Sequence, residues 1–488
     1  MKLMHHIAGV GLLSCSLQAA LAIPGAAQFD AIVKDFGKAD LFSGVVLLAK
    51  DRKVVYFGNF GDANKDYPIA NGPDTSFNIG SIGKTFTAVA IMQLVEAGQL
   101  ALTDPLDKYL PSYPYPQKST ITIAHLLNHS SGLGNYMAHK DYAVKMNTLR
   151  RIDDVLPLIF EQKPEFAAGE RFAYSNSGMV LLGAIIEKIS GMSYDAYLRT
   201  HIFQVAGMQH SGLVQEDQML PNRSLGYSKT LRNGYRSNVT TVPPAFSDGG
   251  LRTTAADLLK FDAALYGDKL ISADIRKTMQ TPVGPEPEYA FGWESKGGAA
   301  MHYVGHNGGA PGVNAELRHY DAGYTMIVLS NYSHGATEIV NQLEAVLFDK
   351  PYEPPTAALS NFGLAVDLEE QDENADALTV LDRNRALAPP HLPSLYTAAR
   401  WRITQRKEPQ RAIEDLDRYL QFAGADTQPP AAAAWWRKGN AFEQLANLPE
   451  AIKCYEKAAA LDPKMPQPKM DLERVKAPPA SPPAAAKS

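Results

Sequence analysis

The chain has 488 residues, of which 45% are hydrophobic and 20% charged, and its formal net charge is −5. That length exceeds what one hydrophobic core usually organises, so a large domain plus a smaller one is expected, and the composition is that of a globular chain rather than a disordered one. A mildly acidic chain has no basic field to hold a phosphate backbone, which excludes nucleic acid as a partner.

The first 22 residues read as an export signal: Lys2 in a short n-region, an apolar stretch from Ile7 to Leu13, and Ala20-Leu21-Ala22 as a small-residue cleavage site. A periplasmic or secreted protein is therefore expected. Cys15, behind Leu12-Leu13-Ser14, offers a second reading as a lipidated cysteine, although Leu13 is bulky for that position. Signal cleavage leaves Cys454 alone, which excludes an internal disulfide and a cysteine-based zinc cluster. No later stretch approaches the ~18 apolar residues of a membrane span.

Gly44 to Ala49 and Val54 to Phe60 read as a β-hairpin around Lys50-Asp51-Arg52-Lys53. The segment from Ser81 to Ala97 is apolar nearly all round, which predicts a helix in a domain interior that stops at Gly98. A second helix is expected from about Ser177 to Ile189, bounded by Gly191. Strands are expected at Met301 to Val304, Val313 to Tyr320 and Tyr324 to Ser330. Strands at both ends with helices between them predict an α+β domain over residues 23–350, an antiparallel sheet flanked by helices with a helical subdomain.

Pro351, Pro354 and Pro355 mark a linker, taken as 351–362. Beyond it, residues 363–476 are expected to form an all-α domain. Trp435, Gly439, Phe442, Ala451, Tyr455, Ala458 and Pro463 match the tetratricopeptide pattern, with Lys438 where leucine is usual, and Ala412-Ile413 marks a degenerate earlier copy. Such repeats are able to dock a protein or peptide partner. The Pro- and Ala-rich end, residues 477–488, reads as a disordered tail.

Ser81-Ile82-Gly83-Lys84 places a hydroxyl and an ammonium on one face at the start of the first helix, where the helix dipole and the backbone N–H of Ser81 favour a developing negative charge. The pair alone is weak evidence and is better read as a helix cap. A phosphate-binding loop ending in Gly83-Lys84-Thr85 is the rival reading, but Asn78 stands where its first glycine belongs. His125 and His129 sit four apart without the Glu or third ligand of a metal site, so a structural role is expected for both and no metal or other cofactor is implied.

Tyr174-Ser175-Asn176 precedes the second helix, and His306-Asn307-Gly308-Gly309 follows the expected strand ending near Val304. In this order the three elements resemble the S-x-x-K, Y-x-N and K-T-G triplet of penicillin-binding proteins and class C β-lactamases, in the branch with His-x-Gly as third element. The segments 121–133, 178–191 and 249–258 are similar to the same family, and the likeness covers roughly Phe29 to Phe348. The resemblance implies a serine hydrolase with Ser81 as nucleophile and Lys84 and Tyr174 as proton-handling partners. It also implies that Asn176, His306 and Gly308 orient substrate, and that the backbone N–H groups of Ser81 and Gly309 form the oxyanion hole. Whether the amine or the phenolate is the base stays open. A neutral imidazole at His306 holds a carboxylate less strongly than the family's lysine, so ester, amide or D-amino-acid peptide cleavage of a small-molecule or peptide substrate is expected ahead of β-lactam destruction. A true β-lactamase or D,D-peptidase is the nearest alternative. A non-catalytic scaffold working through the repeats is the alternative from another class.

Overall fold

In the computed structural model, residues 25–476 are described, apart from 216, 233 and 426. The expected export signal and C-terminal tail lie outside the described residues. The central sheet has six strands: β1 (Gly44–Lys50), β2 (Lys53–Phe60), β3 (Glu294–Lys296), β4 (Tyr303–Ala310), β5 (Val313–Tyr320) and β6 (Tyr324–Ser330). Their order is β2-β1-β6-β5-β4-β3, and every pairing is antiparallel. Seven residues of β1, from Gly44 to Lys50, pair with β6, from Ser330 to Tyr324, so the two chain ends of the domain close one sheet.

Strand β1 is buried on both faces, and its alternation sorts the core into two layers. Val46 and Leu48 join Phe29, Ile32, Ile339 and Leu343 beneath the helices α1 (Ala26–Lys38) and α5 (Gly335–Leu347), where α2, α3 and α4 denote the three longest of the intervening helices, Gly83–Glu96, Asn176–Ser190 and Ala255–Leu265. Val45 and Leu47 join Ile79, Phe86, Ile91, Leu182 and Phe261 on the opposite face, which carries α2, α3 and α4. Helix α2 is buried nearly all round, as its composition requires. It begins at Gly83, however, because Gly80–Ile82 forms a separate 3₁₀ turn, and Ser81 sits in that turn. Strand β4 also departs from expectation: it continues past Val304 to Ala310, so His306 to Gly309 lie within a strand rather than after one. Pairing with β5 carries it on, Gly308 lying opposite Ala315 and Gly309 opposite Asn314.

Residues 351–356 have no regular structure, and α6 (Ala357–Glu370) starts inside the range read as linker, with the Thr356 side chain capping it through the Leu359 N–H. This helix docks on the first domain. The Lys229 N–H donates to Asp367 at 3.0 Å, Gln371 donates to the Lys229 carbonyl at 2.8 Å, and Ser333 donates to Glu370 at 2.8 Å. Three helix pairs follow one another: α6 with α7 (Asn374–Asp382), α8 (Leu392–Thr404) with α9 (Pro409–Phe422), and α10 (Ala431–Gln444) with α11 (Leu448–Leu461), followed by α12 (Pro466–Lys476). The first pair carries no repeat signature in sequence. Arg402, fully buried, ties it to the second through Asp382 and Asp415, both at 2.6 Å. In the last pair Gly439 meets the Tyr455 ring so closely that a Cβ there would lie 2.4 Å from it, which accounts for the glycine of the repeat pattern. Cys454 is buried between these helices and burial pushes its thiol up to about 11, so it is an inert packing residue.

Candidate active site

Gly80 adopts φ +50, in the left-handed region, and turns the chain from the extended segment Phe77–Asn78 into the 3₁₀ turn that carries Ser81. A Cβ at Gly80 would stand 2.8 Å from the Gly309 nitrogen, and one at Gly308 would stand 2.0 Å from the Ile79 carbonyl oxygen. Two bare backbones thus pass each other, bringing the edge of β4 against the serine turn. Beyond Gly305 that edge has no strand partner among the described residues, since β3 pairs only with Tyr303 to Gly305. Asn307 and Gly309 are exposed along it, while His306 and Gly308 are buried.

One helical turn after Ser81, Lys84 is fully buried, and its Nζ donates to Ser81 Oγ at 2.9 Å and to the Asp248 carbonyl oxygen. Burial lowers the ammonium from its ordinary 10.5 to about 8, against the pull of Asp248. Burial likewise pushes the Asp248 carboxyl up to about 6, with Lys84 and a 3.0 Å hydrogen bond from the Tyr136 hydroxyl acting the other way. Tyr174 precedes the Ser175 N-cap of α3, whose side chain accepts from the Gly178 N–H. The Lys84 Nζ lies 4.8 Å from the Tyr174 ring centroid. Although 41% of Tyr174 is exposed, the packing around its phenol raises its pKa, opposed by a hydrogen bond with Ser81. At neutral pH the phenol therefore keeps its proton, while the amine gives one up readily.

Ser81, Lys84, Tyr174 and the β4 edge thus lie together, Ser81 and Lys84 as their spacing implied and the others as the resemblance implied. Asn176 starts α3 and rests its amide 3.5 Å from Asn135 Oδ1 and 3.7 Å from the Met137 sulfur. His306 differs from the rest. Its ring is 2% exposed, and both ring nitrogens are engaged inside the protein, Nε2 with the Tyr289 hydroxyl at 3.0 Å and Nδ1 with the Asn307 carbonyl at 2.6 Å. It offers no free nitrogen to a substrate carboxylate.

Three participants were not legible as such. Asp248 stands just before the glycines at 249 and 250, Tyr289 belongs to no motif, and His129 was assigned only a structural place. The two histidines of the 125–129 spacing part company: His125 closes a capping box with Thr122, while His129 lies beside Tyr174, their ring centroids 4.4 Å apart. Among the described residues no group of three or more His, Cys, Asp or Glu could hold a metal ion. A second serine–histidine–aspartate alignment exists, with Ser295 2.9 Å from His302 Nε2 and Asp321 2.9 Å from Nδ1, but the Asp321 side chain is 68% exposed and its charge is screened by water.

Comparison with known proteins identifies the family. The profile of the Beta-lactamase family matches residues 29–347, and that of the Tetratricopeptide repeat matches residues 432–465. Penicillin-binding protein 4* of Bacillus subtilis is 31% identical over 360 residues, covering 69% of this chain and 79% of its own. The crystal structure of a penicillin-binding protein from Bacillus halodurans superposes with a TM-score of 0.60 at 33% identity, covering 64% of this chain and 98% of that one. The octameric penicillin-binding protein homologue from Pyrococcus abyssi gives 0.58 at 28% identity, covering 69% and 80%. D-amino acid amidase from Ochrobactrum anthropi, at 22% identity and a TM-score of 0.57, covers 66% of this chain and 96% of its own and shares the fold. The chain belongs to the Beta-lactamase family of serine hydrolases, with penicillin-binding proteins among its relatives and a tetratricopeptide repeat at its C-terminal end.

Proposed function

We propose that the protein is an exported hydrolase that cleaves an ester, amide or D-amino-acid peptide bond through an acyl-enzyme on Ser81. The observation that carries this reading is Lys84: fully buried, 2.9 Å from the Ser81 hydroxyl, and held near pH 8 by burial. Neutral Lys84 takes the Ser81 proton as Oγ attacks the substrate carbonyl carbon. The tetrahedral oxyanion is held by the backbone N–H groups of Ser81 and Gly309, which the close pass at Gly80 and Gly308 brings to one place. Tyr174, protonated at neutral pH, donates to the leaving group as the intermediate collapses, and is reprotonated from the Lys84 ammonium. Water then attacks the acyl-enzyme with the same groups in reverse. Asn176 and the exposed edge at Asn307 and Gly309 line the substrate's path, and the helical repeats dock a protein or peptide partner.

The relatives are named for binding penicillin, which keeps a true β-lactamase or D,D-peptidase acting on cell-wall-like substrates as the nearest alternative. The site fits a neutral acyl group better, because His306 has no free ring nitrogen. A scaffold without catalysis would have no need of a buried lysine against a serine. Ser81→Ala decides the matter: it is expected to abolish covalent labelling by a fluorophosphonate probe and turnover of the best substrate in an ester, D-peptide and β-lactam panel. Labelling at the wild-type rate on another residue, Ser295 included, would show the nucleophile to be elsewhere.

A further inference from the structure

Behind Tyr174 and strand β4 lies a chain of three buried rings whose hydrogen-bond polarity is set by the backbone. His129 Nδ1 is 3.2 Å from the Ser175 N–H, which makes that nitrogen an acceptor and leaves the ring proton on Nε2. Nε2–H then donates to the Tyr289 hydroxyl at 3.0 Å. Tyr289 donates in turn to His306 Nε2 at 3.0 Å, and His306 Nδ1–H ends the chain on the Asn307 carbonyl at 2.6 Å. Each donor has one acceptor, and no proton can move without breaking a buried bond.

The same histidine holds Tyr174 from both sides. The His129 carbonyl accepts the Ala173 N–H at 2.8 Å, its ring accepts the Ser175 N–H, and the ring packs on Tyr174 between them. His129 does this at φ +57, a left-handed conformation uncommon for a residue with a side chain. Backbone strain of this kind persists where the surroundings impose it.

We propose that His129 and Tyr289 are positioning residues which lock Tyr174 and the β4 edge into one arrangement and hold His306 as a neutral imidazole, so that the cleft selects acyl groups lacking a carboxylate. This rests on the acyl-enzyme reading above. The charged and titratable groups acting on His306 are Glu294 and Lys296 on β3, Lys84 on α2, and the nearby Tyr174, Tyr289 and His129. Burial dominates among them and holds the His306 ring down to about 4.

The test begins with wild-type full-length protein labelled with [15N]histidine, where the resonances missing from His306→Asn identify His306. The ring is expected to be neutral and protonated on Nδ1 from pH 8 to pH 5. Uptake of a proton within that range, or a proton on Nε2, overturns the proposal. Tyr289→Phe removes only the hydroxyl that donates to Nε2, so the His306 midpoint is expected to rise by about one pH unit or more. For a neutral ester, kcat is expected to fall about tenfold with KM within twofold, since the relay orients groups that act in the transition state. In wild type the preference for the neutral ester over its carboxylate analogue is expected to stay constant from pH 8 to pH 5, and in Tyr289→Phe it is expected to shrink as the pH falls over that range. An unchanged midpoint, or a preference that does not vary with pH in this variant, overturns the proposal. If Tyr289→Phe does not fold, His129→Asn serves, because Asn tolerates the left-handed backbone and keeps an acceptor for Ser175 while losing the Nε2–H. The same fall in kcat is expected, because the ring that packs on Tyr174 is gone, and an unchanged kcat overturns the proposal; the Tyr289 hydroxyl still donates to His306, so the midpoint is not the readout of this variant. The NMR arm needs no substrate, so it stands or falls separately from the identity of the nucleophile.

Discussion

Raising the pH from 6 to 8 is expected to increase kcat/KM for an unactivated neutral ester about 50-fold, because the neutral fraction of a lysine titrating near 8 rises from about 1% to about 50% over that range. The structure supplies the value: burial takes Lys84 from 10.5 to about 8. At pH 7 this multiplies the available free amine about 300-fold over an exposed lysine. The same burial costs stability. A folded-state pKa below the unfolded one means that folding expels a proton, so the penalty of about 3 kcal/mol is present below pH 8, fades as the pH rises, and is gone above about 10.5. Lys84→Met is therefore expected to abolish turnover and yet melt at or above the wild-type temperature at pH 7, with the advantage disappearing near pH 10.5. Asp248, deprived of the ammonium, becomes easier to protonate and spares the variant a buried charge. Initial rates at saturating and limiting ester, corrected for spontaneous hydrolysis, together with calorimetry at the two pH values, measure both effects. A profile flat between pH 6 and 8, or a methionine variant that still turns over substrate, would refute the assignment of Lys84 as base.

Tyr174→Phe keeps the ring against His129 and removes the phenol proton, so steady-state turnover is expected to fall about 10²–10⁴-fold with the fold retained by circular dichroism. Gly308→Ala drives a methyl to 2.0 Å from the Ile79 carbonyl, which forces β4 away from the serine turn. Acylation measured by stopped flow is expected to drop at least ~100-fold, at a stability cost of about 1–3 kcal/mol in urea titration. Gly439→Ala presses on the Tyr455 ring in the last helix pair, far from Ser81 in the chain, and is expected to lower the melting temperature of the helical domain while leaving kcat/KM unchanged.

The sequence by itself determined what depends on local pattern. A continuous apolar run such as Val45 to Ala49 buries both faces only inside a covered sheet, and the all-round apolar helix after Ser81 belongs in an interior, so both elements were legible before any coordinates. The closeness of Ser81 and Lys84 was legible for the same reason, because three residues along a helical start fix a mutual distance, while their catalytic reading came from the resemblance of the ordered triplet. Strand β4 was read too short, since glycines weaken a strand in isolation and only pairing with β5 carries it to Ala310. The linker was read too long, because its second half turns helical once α6 has a domain to rest on. The tertiary structure alone decided the electrostatics. Lys84 and Asp248 are 164 residues apart, His129 and Tyr289 are 160 apart, and no local signal joins them. Their charge states follow from burial and mutual distance, which exist only once the chain has closed its sheet.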